Sequence, residues 1–171
     1  TPSSSLKCIK LDSIALVSSG GNAFDGKYRT SSVSGVGEEF PYENPGFVVN
    51  VFDGDTANPN IYLTKVPCAC CDNSKILVAF DNDKKIYNLK TTTNENRDVW
   101  FLKFEEETVK WNGSTWVDVP LGPSAQKKSS FIKDLKTYSL MDVRLISDCV
   151  KYDCVFSLKG SSAAIKFVMS K

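Results

Sequence analysis

The chain has 171 residues, 42% of them hydrophobic, enough for one domain with a real apolar core. Its 21 basic residues nearly balance 20 acidic ones, so no strong field draws in nucleic acid or an anionic membrane surface. Histidine is absent, which removes the usual general base, the usual partner of a Ser or Cys nucleophile, and the commonest metal ligand.

The sequence opens on Thr1-Pro2-Ser3-Ser4-Ser5, without a start methionine or the apolar core of a signal peptide, and is expected to be a mature or excised product. Residues 1–171 read as a single domain. Apolar runs such as Phe47-Val48-Val49 fall far short of the roughly 20 residues of a membrane helix, so no membrane span is expected.

Short alternating or β-branched runs dominate, separated by Gly, Pro, Asn and Asp, and predict an all-β antiparallel sandwich or barrel of about a dozen strands. The first strand is expected at 6–17 and includes Cys8. From Gly20 to Gly46 the chain is rich in Gly, Ser and Asn and predicts long surface loops around one strand at 27–33. Tyr28, Phe40 and Tyr42 lie in this stretch and are candidate contact residues for a partner.

Strands follow at 47–52 and 61–66. Between them Asp53-Gly54-Asp55, Asn58 and Asn60 gather oxygen ligands of the kind calcium takes, but no bidentate Glu closes the loop and turn chemistry accounts for the composition. Next comes Pro67-Cys68-Ala69-Cys70-Cys71. With Cys8, Cys149 and Cys154 it makes six cysteines, an even number that predicts a disulfide framework and an oxidising compartment. All six are disulfide candidates, with Cys149 and Cys154 able to reach each other or the 68–71 segment. Free buried thiols and a four-thiolate zinc site are the alternatives, and the Cys-x-Cys and Cys-x4-Cys spacings do not favour zinc.

Strands at 75–80 and 85–90 are expected to join through Asp81-Asn82-Asp83-Lys84, since Asn and Asp tolerate the left-handed region. After a strand at 99–104, Glu105-Glu106-Glu107 reads as a charged turn rather than a catalytic pair, and Glu38-Glu39 is no more convincing, because neighbouring strand residues point to opposite faces. Strands at 108–111 and 115–119 flank Asn112-Gly113, which suits a two-residue type I′ turn and would set Trp111 opposite Ser114 and Val109 opposite Trp116. Trp111 and Trp116 then share one face, with Trp116 expected to pack inward and Trp111, beside the turn, to be exposed. Asn112-Gly113-Ser114 is also a glycosylation sequon.

Pro120, Gly122 and Pro123 break this strand. Phe131, Leu135 and Tyr138 then fall at helical spacing and predict one short helix within 129–142, capped by Ser129. Strands at 143–146, 155–158 and 164–168 complete the chain. No Gly-x-Gly-x-x-Gly, Gly-Lys-Ser/Thr or Gly-x-Ser-x-Gly motif occurs.

These features point to a secreted or surface-displayed protein-binding module, non-catalytic and without a cofactor or metal. Its candidate contact residues are Trp111, Trp116, Tyr28, Phe40 and Tyr42. A carbohydrate-binding module using Trp111 and Trp116 is the first alternative, and a carboxylate-dependent hydrolase the second.

Overall fold

The computed structural model describes residues 15–69, 73–106, 108–122 and 125–170. Cys8, Cys70, Cys71, Glu107 and most of the strand expected at 6–17 lie outside the described residues.

Among the described residues twelve strands run antiparallel, ten of them in one sheet, with two helices late in the chain. In order they are β1 (Leu16–Asn22), β2 (Gly26–Ser34), β3 (Val36–Gly37), β4 (Gly46–Phe52), β5 (Asn60–Thr64), β6 (Lys75–Phe80), β7 (Lys85–Thr93), β8 (Trp100–Lys103), β9 (Thr108–Trp111), β10 (Trp116–Val119), α1 (Lys128–Thr137), β11 (Leu140–Ile146), β12 (Lys151–Ser157) and α2 (Ser161–Val168). The large sheet has the order β1-β2-β4-β5-β8-β7-β6-β11-β12-β3. Only Gly35 separates β2 from β3, so one extended segment pairs with β4 along its first part and with β12 beyond it. The circuit of ladders therefore closes, and of the two expected architectures the chain takes the barrel. Gly35 and Gly37 sit at this closure, where a Cβ would strike Val155 and Phe156, or Tyr42 and Tyr152. Glycine is required there by close approach.

Alternation along each stave separates inside from outside. Val49, Val51, Ile61, Leu63, Ile76, Val78, Leu89, Met141, Val143 and Leu145 fill the interior. Each is followed by a residue that faces outward. Trp100, 0% exposed, donates its indole N–H to the Pro67 carbonyl at 3.0 Å and braces the segment after β5. The barrel end formed by the close of β6 and β8 and the start of β7 is covered by α1. There the Phe131 ring meets Phe80, Tyr87 and Phe104 at 5.0–5.5 Å, and the Tyr87 hydroxyl donates to the Asp134 carboxylate.

Several local expectations require correction. The 20–46 stretch is not mainly loop: β1 and β2 form a tight hairpin whose turn is built by Asn22, which accepts from the Phe24 and Asp25 amides. Residues 164–168 are helical, because Ser161, Ala164, Ile165 and Val168 recur at helical spacing and bury one face. β-branched and aromatic content alone had suggested a strand. The helix expected within 129–142 ends at Thr137, its cap position is Lys127 rather than Ser129, and β11 begins three residues later, taking in Asp142. Cys154 is a thiol, 6% exposed, facing into the barrel between Tyr152 and Phe156, where burial pushes its pKa up. It is a core residue and not a bridging one.

The 81–84 turn forms as expected, with Asp81, Asn82 and Asp83 all at positive φ. Asp81 also accepts hydrogen bonds from the amides of Ser139 and Leu140 at 3.0 and 2.8 Å, fastening the turn to the start of β11. Asp81→Ala leaves two amides without an acceptor and puts an alanine at positive φ. It is expected to cost about 2 kcal/mol in urea unfolding, and Asp81→Asn should recover most of that.

Candidate functional site

β9 and β10 stand apart from the barrel as a two-stranded ribbon, and all eight of their residues are exposed. Trp111 lies directly opposite Trp116, with ring centroids 5.5 Å apart and planes at 60°. The register is thus two residues from the expected one. The connection is a four-residue loop, closed by Asn112, whose side-chain oxygen accepts from the amides of Ser114 and Thr115 at 3.0 and 2.9 Å. This arrangement allows the two indoles to pair, whereas a two-residue turn would have set Trp111 against Ser114.

Opposed residues share a face. Trp111, Trp116, Val109 and Asp118 therefore form one face of the ribbon, and Thr108, Lys110, Val117 and Val119 the other. Trp116 is 67% exposed and Trp111 50%, so Trp116 does not pack inward. The physical reason is position: the barrel circuit passes from β8 to β7 and β5, leaving no described stave beside β9 or β10. Five apolar side chains are left in water on a ribbon that buries little of its own surface.

The other candidate residues are not gathered here. Tyr28 lies on the outer face of β2 beside Gly20, Phe40 is on the loop after β3, and Tyr42 packs edge-on against Tyr152, whose hydroxyl donates to the Tyr42 carbonyl. The Asn73 amide donates to Asp148 at 3.2 Å, so the chain just after the cysteine-rich segment lies against the β11–β12 turn. Cys149 on that turn is disulfide-bonded, and no bridge joins two of the described cysteines. Cys68 places its sulfur 3.6 Å from the Asn96 carbonyl.

The oxygen-rich 53–60 loop is committed elsewhere. Asp53 accepts from the Lys27 amide and Asn58 from the Lys128 ammonium, each at 2.7 Å. Among the described residues no group of three or more Cys, Asp or Glu side chains is placed to hold a metal ion. None of their helices is long and apolar enough to cross a membrane.

A second surface escaped the sequence reading altogether. Across the outside of the barrel Ile86, Ala79, Asp142, Val155 and Val36 occupy one row over five adjacent strands. They line a groove of about 800 Å³. In the next row Arg144 grips Asp153 through two hydrogen bonds at 2.6 and 2.7 Å, and Glu38 accepts from the Asp153 amide. Among the described residues the Asp142 carboxylate has no hydrogen bond or ion pair. Its aliphatic neighbours desolvate the carboxyl, Asp83 and Asp153 repel its charge, and its pKa is raised. The sequence signal was the alternation of Met141, Val143 and Leu145 with Asp142 and Arg144, obscured by the helical spacing just before it.

The raised pKa has a definite sign in folding. Folded Asp142 holds its proton more tightly than unfolded Asp142, so its contribution favours the fold at low pH and is lost as pH rises above the ordinary value of 3.8. Asp142→Asn is expected to remove that part of the pH dependence, read as a urea midpoint that is higher at neutral pH relative to acid pH than the wild type's.

No family model matches the chain, and neither a curated protein nor a solved structure matches it.

Proposed function

We propose that the protein is a non-catalytic interaction module that binds a protein partner through the β9–β10 ribbon, in a secreted or surface-displayed setting. The observation that carries this reading is the exposure of Trp111 and Trp116 together with Val109, Val117 and Val119 on an element that pairs with no other described strand. An isolated two-stranded ribbon is marginal in water. Contiguous exposed apolar surface of this kind marks interaction sites, and tryptophans are the side chains that dominate binding energy at protein interfaces. The six cysteines and the bonded state of Cys149 support the oxidising compartment.

Glycan binding is less well served, because the two indole planes meet at 60° and present no flat platform to a sugar ring. The test is capture from extracellular fluid by the immobilised wild type and a Trp111→Ser/Trp116→Ser variant in parallel, compared by mass spectrometry. A protein retained by the first and lost from the second supports the reading. Identical captured sets, or a glycan-array signal that depends on the two tryptophans, refute it.

A further inference from the structure

We propose that the groove on the outer face of β6, β11 and β12 binds an extended segment of a partner protein in which a lysine or arginine is flanked by aliphatic side chains, with Asp142 as the counter-ion. This surface is separate from the ribbon and does not depend on the function proposed for it.

Charge selects the ligand. Asp142 is a carboxylate without a partner among the described residues, set in the middle of a row whose other members are Ile86, Ala79, Val155 and Val36. The nearest cation on its strand, Arg144, is held on two donors by Asp153. Asp83 and Glu38 add further negative charge at the margins of the groove. An anion entering here would meet uncompensated carboxylates, whereas a cation would complete the one that lacks a partner. The raised pKa of Asp142 agrees with this, since the charge of a bound cation would offset the desolvation and the repulsion that cause it.

Length selects a chain segment over a small amine. Neighbouring strands lie about 4.8 Å apart, so a row across five of them spans about 19 Å, with apolar surface on both sides of the carboxylate. A lone alkylammonium would cover only the centre. An extended peptide places alternate side chains about 6.6 Å apart on one face, so a central lysine over Asp142 sets its flanking aliphatic residues between Ala79 and Ile86 on one side and Val155 and Val36 on the other.

The probe is the capped pentapeptide acetyl-Val-Ser-Lys-Ser-Val-amide, titrated into the ¹⁵N-labelled full chain and followed by amide chemical shifts. Saturable shifts are expected at Ala79, Asp142, Val155 and Val36. Replacing the probe's lysine with glutamate, or Asp142 with Asn in the protein, should weaken binding at least tenfold, the variant's spectrum elsewhere showing an intact fold. The Trp111→Ser/Trp116→Ser variant should bind the probe as the wild type does. The proposal is overturned by absence of shifts along the row at millimolar probe, by equal binding to Asp142→Asn, by dependence on the ribbon tryptophans, or by butylamine binding as tightly as the peptide.

Discussion

Replacing Phe131 with alanine is expected to lower the unfolding free energy by about 3–5 kcal/mol, a large part of what a domain of this size possesses. Phe131 is the side chain by which α1 closes the barrel. It is 0% exposed and its ring touches those of Phe47, Phe80, Tyr87 and Phe104, which come from four different parts of the wall. Truncation removes the apolar transfer term and leaves a cavity that aromatic rings held on separate strands cannot collapse to fill. Tyr87→Phe offers a graded comparison, because it keeps the ring and deletes only the hydrogen bond to Asp134, at an expected cost of about 1.5–3 kcal/mol. Urea unfolding followed by intrinsic fluorescence measures both. A loss below about 1 kcal/mol for Phe131→Ala would show that α1 does not plug the barrel in solution.

The opposite result is expected at Trp116. Because the residue is 67% exposed on a ribbon outside the barrel, Trp116→Ala should leave the urea midpoint nearly unmoved, losing only the contact with Trp111. An exposed aromatic pair is worth about 0.5–1.5 kcal/mol locally, and that local term is not coupled to the unfolding of the barrel. Binding to the captured partner should weaken by about 2 kcal/mol or more, roughly thirtyfold, which is the scale of an interface hot spot. Trp111→Ala should behave alike. Trp100→Ala is the internal control, since that tryptophan is buried and braced by Pro67: it should unfold the protein readily. A stability loss at Trp116 comparable with that at Trp100 would show that the ribbon docks on the barrel.

The three tryptophans mark where local reading stops. Trp100, Trp111 and Trp116 fall within 17 residues of each other, and nothing in their neighbours distinguishes the buried one from the exposed pair. What separates them is whether the strand has a stave beside it. β8 pairs with β5 and β7, whereas among the described residues β9 and β10 pair only with each other. The same limit explains Asp142, whose aliphatic company comes from β7, β6, β12 and β3, the farthest of them, Val36, more than a hundred residues away in sequence.

Local chemistry by itself determined much of the scaffold. Short apolar, β-branched runs set β4 and β6, alternation set β7, β-branched content signalled antiparallel all-β structure, and consecutive Asp and Asn residues placed the 81–84 turn, because each is a property of a few neighbouring residues. Residues 161–168 and the Asn112 loop were misread where two local rules competed: strand propensity against helical spacing in the first, and a two-residue turn against side-chain capping with an indole pair in the second. Packing decided between them. Only the tertiary structure decided that the sheet closes at Gly35, that Cys154 lies inside it, and that the ribbon and the Asp142 groove are left facing water. Closure, burial and exposure are set by pairings between distant strands, whose energies depend on which surfaces meet and not on the order of residues within any one of them.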